Sequence, residues 1–212
     1  MTFELFSSHL TKIINSELGG IISHAKVEPA VRTAFMKSLD LETITPKNAA
    51  VMMLIYPKNN LAHFALIIRT SYNGVHSSQV AFPGGKAEDF DENYWQTAVR
   101  ETEEEIGIDS SKINFLKDLT PVYVPPSNFM VYPFVGFCTH EVSFIPDPRE
   151  VAGILEVSLD EFMNGNNAVK KTINASYMNN VEVDGFAIND FFVWSATAMM
   201  MQEFKDLLNN VL

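Results

Sequence analysis

The chain has 212 residues, of which 47% are hydrophobic and 19% charged, and these fractions predict a globular protein built on one domain with extensions. Its formal net charge of −11 argues against a long nucleic acid as partner, because such binding normally depends on lysine and arginine neutralising phosphates. The longest apolar runs, such as Ala49 to Tyr56, are too short to cross a bilayer, so no membrane partner is expected.

The cysteine content and the first residues bear on the compartment. Cys138 is the single cysteine of the sequence, which excludes an internal disulfide and is typical of a reducing environment. Residues 1–6 have no basic stretch before an apolar segment, so they do not resemble a secretory signal. We therefore expect a cytoplasmic protein.

Two helices are predicted near the N-terminus. Apolar residues recur at helical spacing over residues 2–18, and Gly19 and Gly20 follow as a stop. A second helix is predicted over Pro29 to Leu39.

Strands dominate from residue 49 onward. Residues 49–56 form an apolar run closed by turn residues, and residues 61–70 follow as the hairpin partner. Further strands are predicted over 79–82, 114–116, 122–124 and 132–140, with a strand entering a short helix over 156–162 and a strand over 191–194 that leads into a helix over 195–208. This order predicts an α/β fold with a mixed sheet and helices on its faces.

A carboxylate cluster lies in the middle of the chain. The segment after Gly85 is predicted to be a helix, ended by Gly107, with an apolar stripe of Trp95, Ala98, Val99, Thr102 and Ile106. Glu101, Glu104 and Glu105 project away from this stripe, and their i, i+3, i+4 spacing makes them repel unless a cation lies between them. Hard oxygen ligands without nearby His or Cys favour Mg²⁺ or Mn²⁺ over zinc. The alternative is a solvated acidic face, which is disfavoured because negative charge at a helix C-terminus costs stability.

This segment resembles the signature of the Nudix hydrolases, G-x5-E-x7-R-E-U-x-E-E-x-G-U, in which U is a bulky apolar residue. The residues that match position by position are Arg100, Glu101, Glu104, Glu105, Gly107 and Ile108. Counting back from Arg100 places the early acid of the signature at Glu92 and its leading glycine at Lys86, one residue beyond Gly85. The loop therefore has one extra residue. Thr102 also replaces the usual apolar residue.

The extra residue points to one branch of the family. The segment from Phe82 to Lys86, at this distance from Arg100, resembles the coenzyme A pyrophosphatase branch. Other stretches that resemble the branch are Arg69-Thr70, His76, Gln79-Val80, residues 123–129 and residues 194–199. Gly74 and Ser78 depart from it, since the branch usually has a basic residue and a glycine there.

The resemblance implies both a fold and a reaction. The fold is the Nudix α/β/α sandwich with a mixed sheet, here with a helical N-terminal extension over residues 1–45 and a hydrolase domain over residues 46–212. The reaction is Mg²⁺-dependent cleavage of coenzyme A or acyl-coenzyme A to 3′,5′-ADP and 4′-phosphopantetheine or its acyl form. The alternatives are a diphosphatase for ADP-ribose, NADH or another nucleoside diphosphate derivative, and a catalytically silent nucleotide-binding regulatory module. A homodimer is left open.

The resemblance also implies roles for individual residues. The expected metal ligands are Glu101, Glu104, Glu105, Glu92 and a main-chain carbonyl of Gly84 or Gly85. Arg100 is expected to orient one of these carboxylates, the alternative being a surface ion pair. The general base is either Glu104 or Glu105 within the helix, or Glu150, for which a structural cap is the alternative role.

Cations around the glycine segment are the expected substrate contacts. Arg69 and Lys86 flank this segment and could bind the diphosphate or the 3′-phosphate of a coenzyme A-like molecule. His76 could contact phosphate, with a neutral loop histidine as the alternative. For Ser127 and Asn128, contact with the ligand and packing of their own loop are both open.

Overall fold

The computed structural model describes residues 1–39, 44–70, 79–163, 165–175 and 178–212. The helices of the N-terminal segment are α1 (Phe3–Ser8), α2 (Leu10–Asn15), α3 (Ile21–His24) and α4 (Ala30–Ser38). Helix α4 confirms the helix predicted over 29–39, and Pro29 precedes its first turn. The short helix α3 was not predicted.

The continuous helix predicted over residues 2–18 is wrong, because the helix is interrupted at His9 and ends at Asn15. Ser8 Oγ donates a hydrogen bond to Leu5 O at 2.7 Å, and His9 Nδ1 lies 2.8 Å from the same oxygen. In a continuous helix this carbonyl would accept the main-chain N–H of His9. Side chains that compete for it end the helix locally.

The main sheet is mixed. Its strands are β1 (Lys47–Lys58), β2 (Leu61–Arg69), β3 (Val80–Ala81), β4 (Gly84–Lys86), β5 (Asn114–Asp118), β6 (Val122–Val124), β7 (Phe129–Phe137) and β8 (Val151–Ser158). Five of them follow the order β3-β2-β1-β7-β5, with β4 paired to β1, β6 to β7 and β8 to β2. Strands β1 and β2 form the predicted hairpin, and β7 runs parallel to β1. The hairpin turn is Asn59-Asn60, both with positive φ.

Strand β1 is buried on both faces. Met52 belongs to the apolar cluster that contains the inner side of α5 (Tyr94–Ile106), whereas Met53 belongs to the cluster that contains α7 (Ser195–Val211). Successive side chains of a strand point to opposite faces, so the sheet lies between these helices. The predicted α/β sandwich with a mixed sheet is confirmed.

The C-terminal part adds a second sheet, of which the sequence predicted only the last strand. After α6 (Leu159–Met163) come β9 (Ala168–Ala175), β10 (Met178–Ile188) and β11 (Phe191–Trp194), which pair antiparallel in the order β11-β10-β9. The first two strands mix apolar residues with charged and amide residues, so their apolar pattern is weak. Val183 and Phe186 of β10 are nevertheless buried.

The N-terminal helices share the core with α7. Phe6 and Ile13 are fully buried in the same apolar cluster as Phe204 of α7. Within the part of the chain that the structure describes, no helix is long and apolar enough to cross a membrane.

Candidate active site

The carboxylate cluster lies on α5. Asn93 caps the first turn by accepting a hydrogen bond from the main-chain N–H of Gln96, so the helix begins at Tyr94, well after Gly85. Gly107 follows the last turn with φ +72, a left-handed conformation that favours glycine, and this confirms the predicted stop. Ala98, Thr102 and Ile106 are buried against β1, as the apolar stripe predicted.

The glycine segment forms strand β4, which pairs with β1 and lies against the carboxylates of α5. The main-chain N–H of Gly84 donates to Glu105 Oε2 at 2.8 Å. A Cβ atom at position 85 would lie 2.4 Å from Glu101 Oε2, so a larger residue there would displace the Glu101 carboxylate from the strand. The two glycines therefore position both acidic side chains.

Glu105 is buried, which corrects the expectation that all three glutamates project away from the apolar stripe. It is 2% exposed. Burial raises the pKa of its carboxyl to about 7; the Gly84 N–H and the Arg69 guanidinium offset part of this rise, while Glu101 and Glu150 add to it. The nearest Arg69 nitrogen lies 3.4 Å from Glu105 Oε1, a weak contact.

Glu101 and Glu104 both contact Arg100. Arg100 Nη1 donates to Glu101 Oε1 at 2.7 Å and to Glu104 Oε2 at 3.1 Å. The Glu104 side chain is 60% exposed. Burial raises the pKa of Glu101, against the lowering effect of Arg100 and together with repulsion from Glu104 and Glu150.

Asp91 anchors Arg100, a role that the sequence did not reveal. Its carboxylate accepts from Arg100 Nε at 3.0 Å and from Nη2 at 2.9 Å, and also from Thr97 Oγ1 and the main-chain N–H of Glu88. The hydrogen bonds from Arg100 hold the pKa of Asp91 well below its usual range. Asp91 lies in an acid-rich loop, and nothing in the sequence distinguishes it from its neighbours there.

A loop brings Glu150 to the end of the motif helix. The main-chain N–H groups of Ile145 and Asp147 donate to the carbonyls of Ile106 and Glu105, each at 2.9 Å, and thereby satisfy carbonyls at the C-terminus of α5. Glu150 is exposed, and its charge is close enough to raise the pKa of both Glu101 and Glu105. Residues distant in sequence thus form one acidic group.

The donor set suits a hard divalent cation by its chemistry. Burial raises the pKa of Glu101 and Glu105, repulsion from neighbouring carboxylates adds a smaller contribution, and a bound cation would favour the ionised form of both. Across the described ranges, no three Asp, Glu, His or Cys side chains stand close enough together to hold a metal ion in their present positions. Arg100 occupies the space between Glu101 and Glu104.

A cleft of about 290 Å³ opens beside the glycine strand, and its walls include Arg69, Gly84, Gly85, Lys86, Ser127 and Ser195. The structure thus brings the predicted contacts Arg69, Lys86 and Ser127 together. Lys86 Nζ is 3.2 Å from Glu88 Oε1 and is largely exposed.

Two of the predicted site residues, Asn128 and Glu92, do not line this cleft. The Asn128 side chain accepts from the Tyr123 hydroxyl and donates to the carbonyl of Thr45, so it holds its own turn. Glu92 precedes α5 and accepts from Gln96 Nε2 at 3.1 Å. His76 lies outside the described residues. Their functional roles stay predictions.

Sequence comparison relates the chain to known proteins. The model of the NUDIX domain family matches residues 46–177, more than half of the chain. "Nudix hydrolase 15, mitochondrial" of Arabidopsis thaliana is 30% identical over 167 residues, which cover 76% of this chain and 58% of that protein. "Uncharacterized Nudix hydrolase NudL" of Yersinia enterocolitica is 32% identical over 142 residues, 66% of this chain and 71% of that protein. The chain thus spans less than two thirds of the length of the Arabidopsis relative.

Solved structures share the fold. A Nudix hydrolase from M. smegmatis, RenU, superposes with a TM-score of 0.53 at 16% identity, covering 79% of this chain and 88% of that chain. A MutT/nudix family protein from Enterococcus faecalis gives a TM-score of 0.53 at 17% identity, covering 84% of this chain and 68% of that chain. Together, the sequence signature on α5, the match to residues 46–177 and the shared fold show that the chain belongs to the family of Nudix hydrolases.

Proposed function

We propose that the protein is a diphosphatase that uses Mg²⁺ or Mn²⁺ to cleave a nucleoside diphosphate derivative. The observation that carries the proposal is the buried carboxyl of Glu105, with its pKa raised to about 7, next to Glu101 and behind the glycine strand that lines the cleft. Carboxyls whose pKa is raised by burial and by neighbouring negative charge concentrate at functional sites, because a bound cation or substrate compensates for the unfavourable surroundings.

The residues divide the work between metal and substrate. Glu101, Glu104 and Glu105, with the main-chain carbonyl of Gly85, would hold the ion. When bound, such an ion neutralises charge on the diphosphate and makes the attacking water more acidic. Arg69 and Lys86 bind diphosphate oxygens from the cleft wall, since charge-assisted hydrogen bonds suit phosphate groups.

We assign the general base to Glu150. Glu105 is buried and bonded to Gly84, and Glu104 is paired with Arg100, whereas Glu150 is exposed beside both metal-binding carboxylates. The pH profile of kcat distinguishes the candidates. If Glu150 is the base, Glu150→Gln should lose the acid limb of the profile. If Glu150→Gln keeps this limb and Glu104→Gln loses it, the base is Glu104 instead.

We further propose that the substrate is coenzyme A or acyl-coenzyme A. Stretches that resemble the coenzyme A pyrophosphatase branch supply several walls of the cleft, among them Val124, Ser127, Trp194 and Thr197. The same chemistry on ADP-ribose or NADH is the runner-up, because the metal helix recognises the diphosphate and not the groups attached to it.

A substrate screen tests the proposed function. Purified protein with Mg²⁺ is incubated with coenzyme A, acetyl-coenzyme A, ADP-ribose, NADH and dNTPs, and the products are identified by mass. Formation of 3′,5′-ADP from coenzyme A is expected. Binding without turnover on any compound would instead indicate a regulatory module.

The 3′-phosphate sharpens the substrate assignment. We expect kcat/KM for coenzyme A to exceed that for 3′-dephospho-coenzyme A roughly tenfold or more, because one charge-assisted contact contributes about 1.5–3 kcal/mol. Arg69 or Lys86 would supply this contact. Equal values for both compounds, with faster cleavage of ADP-ribose, would leave a diphosphatase and defeat the coenzyme A assignment.

The domain division and the compartment remain proposals of the same kind. We propose an extension over residues 1–45, a hydrolase domain over residues 46–212 and a cytoplasmic location. The two parts do not fold as separate units, because Phe6 and Ile13 of the extension are buried in the core that they share with the hydrolase domain. Two Arabidopsis relatives carry the names mitochondrial and chloroplastic, so cell fractionation is the relevant test, and recovery in an organelle would contradict the cytoplasm.

A further inference from the structure

A second cavity, which we call the annex, adjoins the cleft. It has a volume of about 270 Å³, and its walls come from three places: residues 29–35 in α4 and just before it, residues 124–126 at the end of β6 and after it, and Ser195 with Ala196 at the start of α7. Val124, Ser195 and Ala196 line the cleft as well, so the two cavities meet at these residues.

The annex differs from the cleft in its charge. Arg32 is the one charged residue among the annex-lining residues that the structure describes, and its guanidinium pairs with Glu28 and donates to the carbonyl of Tyr123 at 2.9 Å. Its charge is therefore already neutralised. Pro29, Val31 and Phe35 leave the remaining α4 wall apolar. The cleft, in contrast, carries the cations Arg69 and Lys86.

Helix α4 presents this apolar wall without burying it in the core. No described side chain of α4 is fully buried, and Phe35 is 46% exposed. Of the large hydrophobic residues that are exposed in the described part of the chain, Phe35 is the one that lines the cleft or the annex, so a ligand in the annex would bury its ring. The annex shares three wall residues with the cleft that would hold the diphosphate, so we expect its ligand to be another part of the same substrate.

We propose that the annex binds the uncharged, apolar end of a substrate whose diphosphate lies in the cleft, and that Phe35 sets the preference for that end. The inference rests on the proposed diphosphatase function and deepens it, because it assigns a place in the fold, and a residue that selects for length, to the apolar chain of such a substrate. Burial of each methylene group should raise kcat/KM about fourfold, so kcat/KM should increase with chain length until the annex is filled.

Acyl-coenzyme A compounds of increasing chain length are suitable probes. For the intact chain with Mg²⁺, we expect kcat/KM to rise by at least about tenfold from acetyl- to octanoyl-coenzyme A. Phe35→Ala should reduce this octanoyl-to-acetyl ratio by at least about fivefold, and Phe35→Leu should restore most of it. Ile22→Ala is the matched control, since Ile22 is 79% exposed on α3 and lines neither cavity.

Binding without turnover separates this inference from the proposed function. Calorimetry with octanoyl-coenzyme A in EDTA should give a higher affinity for the unaltered chain than for Phe35→Ala. If no diphosphate derivative is hydrolysed, the proposed function fails. A higher affinity of the unaltered chain would still support binding of the apolar chain in the annex, whereas equal affinities would overturn this inference.

Two further outcomes would overturn the inference. One is hydrolysis of all acyl chains with equal kcat/KM, which leaves the diphosphatase intact. The other is a change from dimer to monomer in sedimentation of Phe35→Ala with the chain-length preference unaltered, which would make the α4 face a contact between copies of the chain.

Discussion

Two glutamates of this protein are buried on long helices, yet their carboxyls respond to burial in opposite ways. Glu105 on α5 is 2% exposed and Glu203 on α7 is 0% exposed. Burial raises the pKa of Glu105 to about 7, because the Gly84 N–H and Arg69 offset only part of the effect. Burial acts on Glu203 in the same direction, but contacts with His24 and Thr120 outweigh it and lower the pKa.

The difference lies in the donors. Glu203 accepts from the main-chain N–H of Gly20 at 2.8 Å, from the N–H of Thr120 at 2.9 Å and from the Thr120 hydroxyl at 2.6 Å, while His24 Nε2 lies 3.5 Å away. Its carboxylate therefore joins the N-terminal segment and the segment before β6 to α7. Glu105 lies instead among other carboxylates. A buried carboxylate that accepts from several donors holds structure together, whereas one with few donors and other carboxylates nearby is a candidate for binding a cation.

The largest expected effect is on stability, at Glu203. Glu203→Ala leaves several buried donors without an acceptor, which should lower the free energy of unfolding by about 3–5 kcal/mol. Urea unfolding measures this, with Glu17→Ala, at an exposed position, as the control. Below its melting temperature the variant should keep its kcat. A loss under 1 kcal/mol would end the structural interpretation of Glu203.

Removing the charge of Glu105 should act on activity instead. We expect Glu105→Gln to lower kcat at least about a hundredfold, equivalent to about 2.7 kcal/mol, because metal-assisted stabilisation of the transition state weakens. Without metal the melting temperature should not fall, since a repelling charge has been removed. Glu103→Gln, an exposed neighbour on the same helix, is the control. Near-normal turnover would remove the assignment of α5 as the metal helix.

The pH dependence of stability sharpens the comparison. The pKa of Glu105 is raised from 4.5 to about 7, so the folded state binds more protons than the unfolded state between these values, and stability in EDTA should fall as pH rises through this window. Relative to Glu105→Gln, the unaltered chain should lose about 2–3 kcal/mol between pH 5 and pH 8. Urea unfolding at both pH values measures the difference, and parallel profiles for the two chains would contradict it. Glu203 should act oppositely, losing stability as pH falls through its lowered pKa.

The smallest effect is expected at Asp91, which holds Arg100 in place. Asp91→Asn should lower kcat about tenfold, in the range measured for residues that orient a metal ligand. KM should change less, because Asp91 lies behind Arg100 and away from the cleft walls. Asp89→Asn, exposed in the same loop, serves as the control. Equal kinetics in both variants would show that Arg100 keeps its position without Asp91.

Local patterns predicted much of the molecule correctly. The hairpin of β1 and β2, helix α4 and the stop at Gly107 depend on neighbours in sequence, such as an apolar run followed by turn residues or a glycine after a helical stripe. The spacing of Glu101, Glu104 and Glu105 likewise predicted that the three residues lie within one helical turn, because helical spacing is local. Strands β9 and β10 were missed, because their apolar pattern is weak and they are stabilised by main-chain pairing with each other, which a local pattern does not reveal.

By itself, then, the sequence determined the motif helix, its acidic residues and the chemistry they favour, because helical spacing is a local property. Only the tertiary structure decided that β4 lies against α5 and buries Glu105, that Asp91 holds Arg100, and that Glu150 joins the acidic group. It alone also decided that Glu203 is satisfied by donors far away in the chain. Burial and hydrogen-bond partners depend on which segments meet in space, and they set the pKa values on which the function of these carboxyls depends.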